Sequence, residues 1–378
     1  MMKTYNHTPK SDGYRMPGEF EPHDGTWLLW PVRPDTWHSG AKPAQRVFTN
    51  VAEAIAKFEP VTVCVPADQY KHVRAVLSPE IRVIEMSSND AWMRDIGPIF
   101  LTNDFGHLSG VDFHFNAWGG LEGGLYFPWD QDMLVKQKVF DIERVPRYDA
   151  TDLTLEGGAI AVDGEGTVIT TKECLLNSNR NPDWTQEQVE ERLKETLNVK
   201  KVIWLDQGMV GDETDGHIDE VLCYIRPGEV AMSWTDDQDH PQYPVLKQCK
   251  EQLQQATDAI GRALTIHEVS IPEQPVLQWE ESQQLDQTTD SYERKAGEPC
   301  VATYVNGYIC NGAVILPAFD DPMDQEAVNL FQRLFPEREI VPVQSRELSL
   351  AGGNIHCITQ QQPQARVSEA DTQETSKS

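Results

Sequence analysis

The chain has 378 residues, of which 39% are hydrophobic, and 60 acidic against 32 basic residues give it a formal net charge of −28. That apolar content excludes a disordered chain, and the acidity excludes a nucleic-acid binder, whose phosphates demand a basic footprint. No run of about 18 apolar residues offers a membrane span. Seven cysteines (64, 174, 223, 249, 300, 310 and 357) stand singly without a CxxC pair, and no apolar segment follows the first lysine. Reduced thiols and a cytoplasmic home are therefore expected.

In chain order, the amphipathic stretch 43–58 predicts a helix, and VTVCV (61–65) and IRVIEM (81–86) predict buried strands. Hairpin-like segments follow at 94–113 and 156–171, each two strand-like runs around a Gly-containing turn. Residues 183–197 predict a helix that starts at Thr185, with Gln188 at capping-box spacing. KKVIWL (200–205) reads as a strand, 216–234 as a third hairpin, ALTIHEV (263–269) as a strand and 297–316 as a fourth hairpin. A helix at 321–335, with Pro322 in its first turn, leads to the strand REIVPV (338–343). Alternation of this kind indicates an α/β fold.

The hairpin, helix and strand recur as a longer period, which suggests modules stacked in a ring or array. Asp95, Glu156 and His217 open successive units, each 61 residues after the last. Cys357 comes 140 residues after His217, with a module between them that begins near Pro299 and offers no obvious catalytic group. Modules set around an axis would bring equivalent positions to one centre, so a single shared site is expected.

Cys357 follows Gly352, Gly353 and His356 in AGGNIHC. Glycines there permit unusual backbone angles and the close approach of a ligand, but a lone cysteine is also commonly a small buried hydrophobe. A reactive thiol needs a nearby base or positive charge. His217 sits two residues before Asp219, on the same face if the stretch is a strand. Glu156, backed by two glycines, could orient the imidazole as the third member of a Cys–His–carboxylate set. His217, Asp219 and Glu156 could equally ligate a metal, although no HExxH-type spacing supports that. Asp95 lies beside Arg94, which points away from it if the stretch is extended. Three carboxylates near a thiol would suppress its ionisation, an arrangement that makes sense when the substrate itself carries positive charge. A planar guanidinium fits best, because each carboxylate can accept two parallel N–H bonds from it.

These motifs, WMRDIGP (92–98), FNAWGG (115–120), LEGG (155–158), GHIDE (216–220) and GGNIHCITQQQP (352–363), closely resemble the agmatine deiminases of the guanidino-group-modifying (pentein) superfamily. GTWLLWPVRPDTW (25–37) fits as well, and the resemblance spans about residues 14 to 363. It implies a five-module αβ propeller of ββαβ-type units around a pseudo-fivefold axis. It also implies hydrolysis of agmatine to N-carbamoylputrescine and ammonia, with no metal or organic cofactor. Carried over residue by residue, Cys357 would attack the guanidinium carbon and form an amidino-enzyme intermediate. His217 would protonate the departing ammonia and then activate water. Asp95 and Asp219 would clamp the guanidinium, Glu156 would hold His217 or a substrate nitrogen, and Gly352 and Gly353 would leave room at the centre. Ala351 stands where family members often have a third glycine.

Agmatine ends in an ammonium, so its site should offer a far-end carboxylate and no arginine for an α-carboxylate. Glu213 matches the family's substrate-contacting acidic position, with Asp212 and Asp215 as competitors, and Trp92 and Trp118 could wall the alkyl chain. A bacterial-type peptidylarginine deiminase is the nearest rival. A thiol amidase would leave Asp95 and Asp219 without a task, and a catalytically silent polyamine-binding protein would have no use for Cys357 and His217. A single catalytic domain is expected over 1–363 and a polar tail over 364–378, with small-molecule binding, no nucleic-acid or membrane partner, and assembly into a homo-oligomer (dimer or tetramer).

Overall fold

The computed structural model describes residues 3–365; most of the expected tail therefore lies outside the described residues. Mixed α/β structure is arranged as five separate small sheets. Each contains an antiparallel pair, then a helix, then a strand that lies parallel to the second member of the pair. The first such unit pairs Ile99–Thr102 with Leu108–His114, crosses through Val135–Glu143 and returns as Arg147–Thr154. The second, third and fourth repeat this order, with crossover helices Gln186–Thr196, Tyr243–Gln255 and Asp324–Leu334. A crossover helix is what a parallel pair needs, since the chain must return to the same end of the sheet.

The fifth sheet has the same order but draws on both ends of the chain. Gln360–Pro363 pairs antiparallel with His23–Leu29, and Lys42–Ile55 crosses to the parallel strand Val61–Val65. The side chain of Gln362 also accepts the indole N–H of Trp27 at 2.9 Å. The Gln run after Cys357 is thus a sheet strand. Three glutamines carry little strand propensity, so pairing context decides their conformation.

The helix Lys42–Ile55 shows how sequence period becomes packing. Ala44, Val47, Phe48, Val51, Ala52 and Ile55 recur at three- and four-residue spacing and are all buried. Phe48 meets Trp37 edge-on, and Trp37 stacks on Trp92 with centroids 4.9 Å apart. Burying each large side chain contributes roughly 1.5–3 kcal/mol, and here it anchors the segment that leads to Asp95.

Most expected strands and helices are present within a few residues, and the capping box at Thr185 and Gln188 forms. Two strands are corrections: Arg82–Glu85 has no buried residue because it ends its sheet, and the fourth hairpin has its first strand only at Tyr308–Cys310. Pro322 is a correction: the helix begins at Asp324, so Pro322 precedes it. Pro342 sits within Glu339–Gln344, at the end of the order of its sheet, where a missing N–H is tolerated. Among the described residues no helix is long and apolar enough to cross a membrane.

Candidate active site

Each sheet is preceded by a single turn or short bend, and those turns supply the candidate residues. Asp95 lies on the helical turn Met93–Ile96, Glu156 and His217 cap the turns Gly157–Ala159 and Ile218–Glu220, and Cys357 lies on the turn Ile355–Ile358. Two local expectations change as a result. The stretch around Asp95 is helical rather than extended, and Arg94 is buried against Glu19, Gln361 and the carbonyl of His356. His217 and Asp219 sit on a turn rather than a strand, so their proximity does not come from a two-residue period.

The groups nonetheless converge. His217 lies between two carboxylates, with Nδ1 3.8 Å from Oδ2 of Asp95 and Nε2 3.7 Å from Oε2 of Glu156. Asp95 accepts the backbone N–H of Gly158 at 2.8 Å and the indole N–H of Trp118 at 2.9 Å. The Sγ of Cys357 is 3.7 Å from Oδ2 of Asp219 and 3.4 Å from Oδ1 of Asn306. Gly158 marks the centre: a Cβ there would fall 2.5 Å from Nδ1 of His217, 2.9 Å from Asp219 and 3.0 Å from Asp95. Gly353 does the same for the thiol, since its Cβ would lie 3.1 Å from Sγ and 2.6 Å from the Trp92 ring. Gly352 has φ of +99° and packs against Glu213, a conformation and a contact that a side chain would disrupt.

Charge is arranged unevenly across this cluster. Burial raises the Cys357 thiol well above its ordinary pKa, and Asp219, Glu220 and Asp95 add to it. Burial and the neighbouring Asp219 and Glu156 carry Asp95 up to about 6 against the opposing pull of His217. Burial alone would discharge His217, but Asp95, Cys174 and Glu156 outweigh it and hold the imidazole protonated. Burial also opposes ionisation of Glu156, yet Arg180 and His217 bring it down to about 2. The site is therefore a neutral thiol facing carboxylates and an imidazolium. His217 Nε2, Asp219 Oδ1, Glu220 Oε1 and Asn306 Nδ2 are buried without a hydrogen-bond partner, a concentration of unsatisfied polar atoms that calls for a polar ligand.

Trp92 and Trp118 are both buried and meet edge-to-face at 6.5 Å. Trp118 has φ of +61° within a run of positive φ from Ala117 to Gly120. A bulky residue rarely adopts that angle. Here Arg180 bonds the Trp118 carbonyl at 2.7 Å and Asp95 takes its indole, which together hold the strained turn. Glu213 lines a separate cavity with Tyr292, Arg294 and Gly352, and its carboxylate is paired with Arg294, which corrects the expectation of a far end without an arginine. Asp212 is turned inward to its own loop, accepting from the N–H groups of Thr214 and His217, and Asp215 pairs with Arg180 and Asn179.

The family model for Porphyromonas-type peptidyl-arginine deiminases matches residues 15–363. An agmatine deiminase from Pseudomonas aeruginosa strain LESB58 is 53% identical over 360 residues, covering 95% of this chain and 98% of that one. Another, from Pseudomonas syringae pv. tomato, is 54% identical over 363 residues and covers 96% and 99%. The chain belongs to the agmatine deiminase family. The solved agmatine deiminase of Enterococcus faecalis superposes with a TM-score of 0.95 at 47% identity, covering 97% of this chain and all of that one.

Sequence reasoning missed several residues of this cluster. Arg180, in the unremarked stretch NSNRNPDW, donates to Glu156 at 2.7 Å and is fully buried. Its signal was only that a buried carboxylate beside a histidine needs a counter-charge. Asn306 opens the fourth unit, the one that offered no obvious catalytic group, at the position corresponding to Asp95, Glu156, His217 and Cys357. The repeat put the start of that unit near Pro299 and not at Asn306, and an asparagine carries no charge to flag it. The metal reading also takes a different form: in this cluster the donor atoms that lie within 4.8 Å of one another are those of Glu156, Cys174 and His217, and Arg180 already balances Glu156.

Proposed function

We propose that the chain is an agmatine deiminase that hydrolyses agmatine to N-carbamoylputrescine and ammonia through a covalent amidino-cysteine intermediate. The observation that carries the reading is the neutral thiol of Cys357 held 3.7 Å from Asp219, within a buried set of carboxylates. Such a site is poorly suited to a neutral amide. A guanidinium entering between Asp95 and Asp219 offsets their charge, lowers the cost of a thiolate and so makes the nucleophile at the moment it is needed.

The thiol proton leaves to solvent as the cation binds. Sγ then attacks the guanidinium carbon, giving a neutral tetrahedral adduct. His217 passes its proton to one amino group, the C–N bond breaks, and ammonia departs from a thiouronium cation. The neutral imidazole next takes a proton from water, whose oxygen adds to the same carbon. Collapse expels the thiolate and releases one proton, so that a urea and an ammonium ion replace the guanidinium and a water. Glu156, kept ionised by Arg180, holds the imidazole through both halves. Trp92 and Trp118 form the wall for the alkyl chain, and Glu213 with Arg294 forms the far end.

The same reading takes the five like-ordered sheets as the modules of an αβ propeller around a pseudo-fivefold axis, a single catalytic domain over residues 1–363. All seven cysteines are free thiols, which supports a cytoplasmic protein. A homo-oligomer remains part of the proposal.

A peptidylarginine deiminase is the second reading, favoured by the description of the matching family model. Ammonia release with agmatine, free arginine and a blocked peptidyl-arginine, run in parallel, separates the two. Turnover of agmatine alone supports the proposal, and turnover of the peptide substrate replaces it. Ammonia from none of the three leaves a polyamine-binding protein.

A further inference from the structure

Behind Asp219, on the side away from His217, runs a ladder of alternating charge. His356 Nδ1 lies 2.8 Å from Oδ2 of Asp219, and His356 Nε2 lies 2.9 Å from Oε2 of Glu19. Arg94 reaches the same Glu19 oxygen at 2.9 Å and also donates to Gln361 at 2.6 Å. The other oxygen of Glu19 accepts the backbone N–H of Ile309 at 2.9 Å. Glu19, Arg94, Asp219 and His356 also line a cavity that does not include Cys357 or His217. Oδ2 of Asp219 thus meets both the thiol and this ladder, and Oδ1 is engaged by neither.

The geometry points to His356 as a positioning residue that fixes Asp219 as a carboxylate with one oxygen committed and the other free for substrate. This inference rests on the deiminase reading and deepens it. An imidazole ring held between two carboxylates, each within hydrogen-bond distance of a different ring nitrogen, is arranged to donate from both nitrogens, which only the imidazolium can do. Its Nδ1–H takes Oδ2 of Asp219. Oδ1 is buried and has no partner within the protein, so it is the atom left to accept a guanidinium N–H. Without His356 the carboxylate would be one of several crowded together.

The charged groups around the pair bear this out. His356 faces Asp219, Glu19 and Arg94. Burial and Arg94 oppose its charge, while Glu19 and Asp219 together keep it above its ordinary value. Asp219 faces His356, His217 and Arg94, and also Asp95, Glu220 and the Cys357 thiol. Burial opposes its ionisation, and His356 is the largest of the groups that restore it. Glu220, next along the turn, lacks such a partner and is pushed well above the carboxylate range by burial and by Asp219. The two neighbours differ by what stands beside them.

The test is the pH dependence of agmatine turnover in the full-length wild type, His356→Ala and His356→Asn. His356→Ala should raise KM at least about tenfold and steepen the acid limb of kcat/KM from a one-proton to a two-proton fall, because Asp219 takes a proton more readily once its cation is gone and then titrates beneath Asp95 within the measured range. Asparagine places an N–H near the position of Nδ1 without charge. His356→Asn should therefore recover most of the KM while keeping the steeper acid limb. A purely structural role would lower stability and kcat without changing the slope of that limb. Wild-type KM and pH profile in a folded His356→Ala overturn the inference, as does an His356→Asn profile that superposes on wild type should the alanine variant not fold. Wild type that releases no ammonia from agmatine removes the deiminase reading and this inference with it; active wild type beside unchanged variants removes this inference alone.

Discussion

The thiol of Cys357 points at a carboxylate: its Sγ lies 3.7 Å from Oδ2 of Asp219. That contact holds the proton on sulfur until a cation arrives. Asp219→Asn should lower the apparent thiol pKa by about one unit and speed alkylation of Cys357 at pH 8 by up to about tenfold, while abolishing turnover. The rate is read as the difference from Cys357→Ser, which removes the contribution of the other thiols. Slower alkylation in Asp219→Asn would show that the carboxylate activates the thiol.

Asp95 takes the acid side of the profile. Its pKa of about 6 means that the carboxylate, and with it half of the guanidinium clamp, is progressively lost as pH falls through that value. Activity should therefore decline below about pH 6, where the protonated acid no longer attracts a cation. Asp95→Asn should lower kcat/KM at pH 8 by about 2–5 kcal/mol, roughly 30- to 5,000-fold. Near-normal kcat/KM in that variant removes Asp95 from the clamp.

Glu156 and Arg180 are both fully buried and 2.7 Å apart. Glu156→Gln leaves the guanidinium without its principal counter-charge and should destabilise the fold by about 3–5 kcal/mol, measured by denaturant unfolding. The sign of the pH effect follows from the depressed pKa of about 2. The pair's contribution is complete above the ordinary glutamate range near 4.5 and fades as pH falls toward 2. Glu156→Gln should therefore differ most from wild type near neutrality and converge with it in acid. An equal gap at every pH would locate its effect in packing rather than charge.

Gly158 has little room. A methyl group there must displace His217, Asp219 or Asp95, so Gly158→Ala should cost at least about 100-fold in kcat/KM, since displacement of about 1 Å in a reacting group can cost that much. Ammonia release checks this, and wild-type activity would show that the three groups have slack.

Selectivity should divide at Glu213. Glu213→Gln is expected to raise KM for agmatine about tenfold with kcat little changed, and to leave turnover of butylguanidine, which lacks the terminal ammonium, where it was. Equal effects on both compounds would mean that Glu213 serves only to hold Arg294.

Much of this site was legible because the chemistry is carried by charged residues in marked stretches. Asp95, Glu156 and His217 announced themselves by equal spacing, and Cys357 by its glycines. The convergence itself was inferred from the repeat, and it held even though two local premises did not. Asp95 sits on a helical turn, and His217 and Asp219 share a turn rather than a strand face. Turns of three or four residues leave no periodicity to read. Partners contributed from distant segments were invisible for another reason: Arg180, Asn306 and Glu19 owe their roles to pairings with residues 24, 51 and 337 positions away. The strand at Gln360–Pro363 was hidden by its composition, since glutamine gains its place from pairing with His23–Leu29 and not from its own preference.

Cys357 is proposed to carry the substrate's carbon during turnover. The most direct test is intact-protein mass spectrometry of enzyme quenched in acid during steady turnover of agmatine, followed by peptide mapping. A fraction of chains should be heavier by agmatine less ammonia, with the added mass on Cys357 and absent from Cys357→Ser, which should also release no ammonia. Steady ammonia release from Cys357→Ser, or an adduct mapped to another residue, would contradict it.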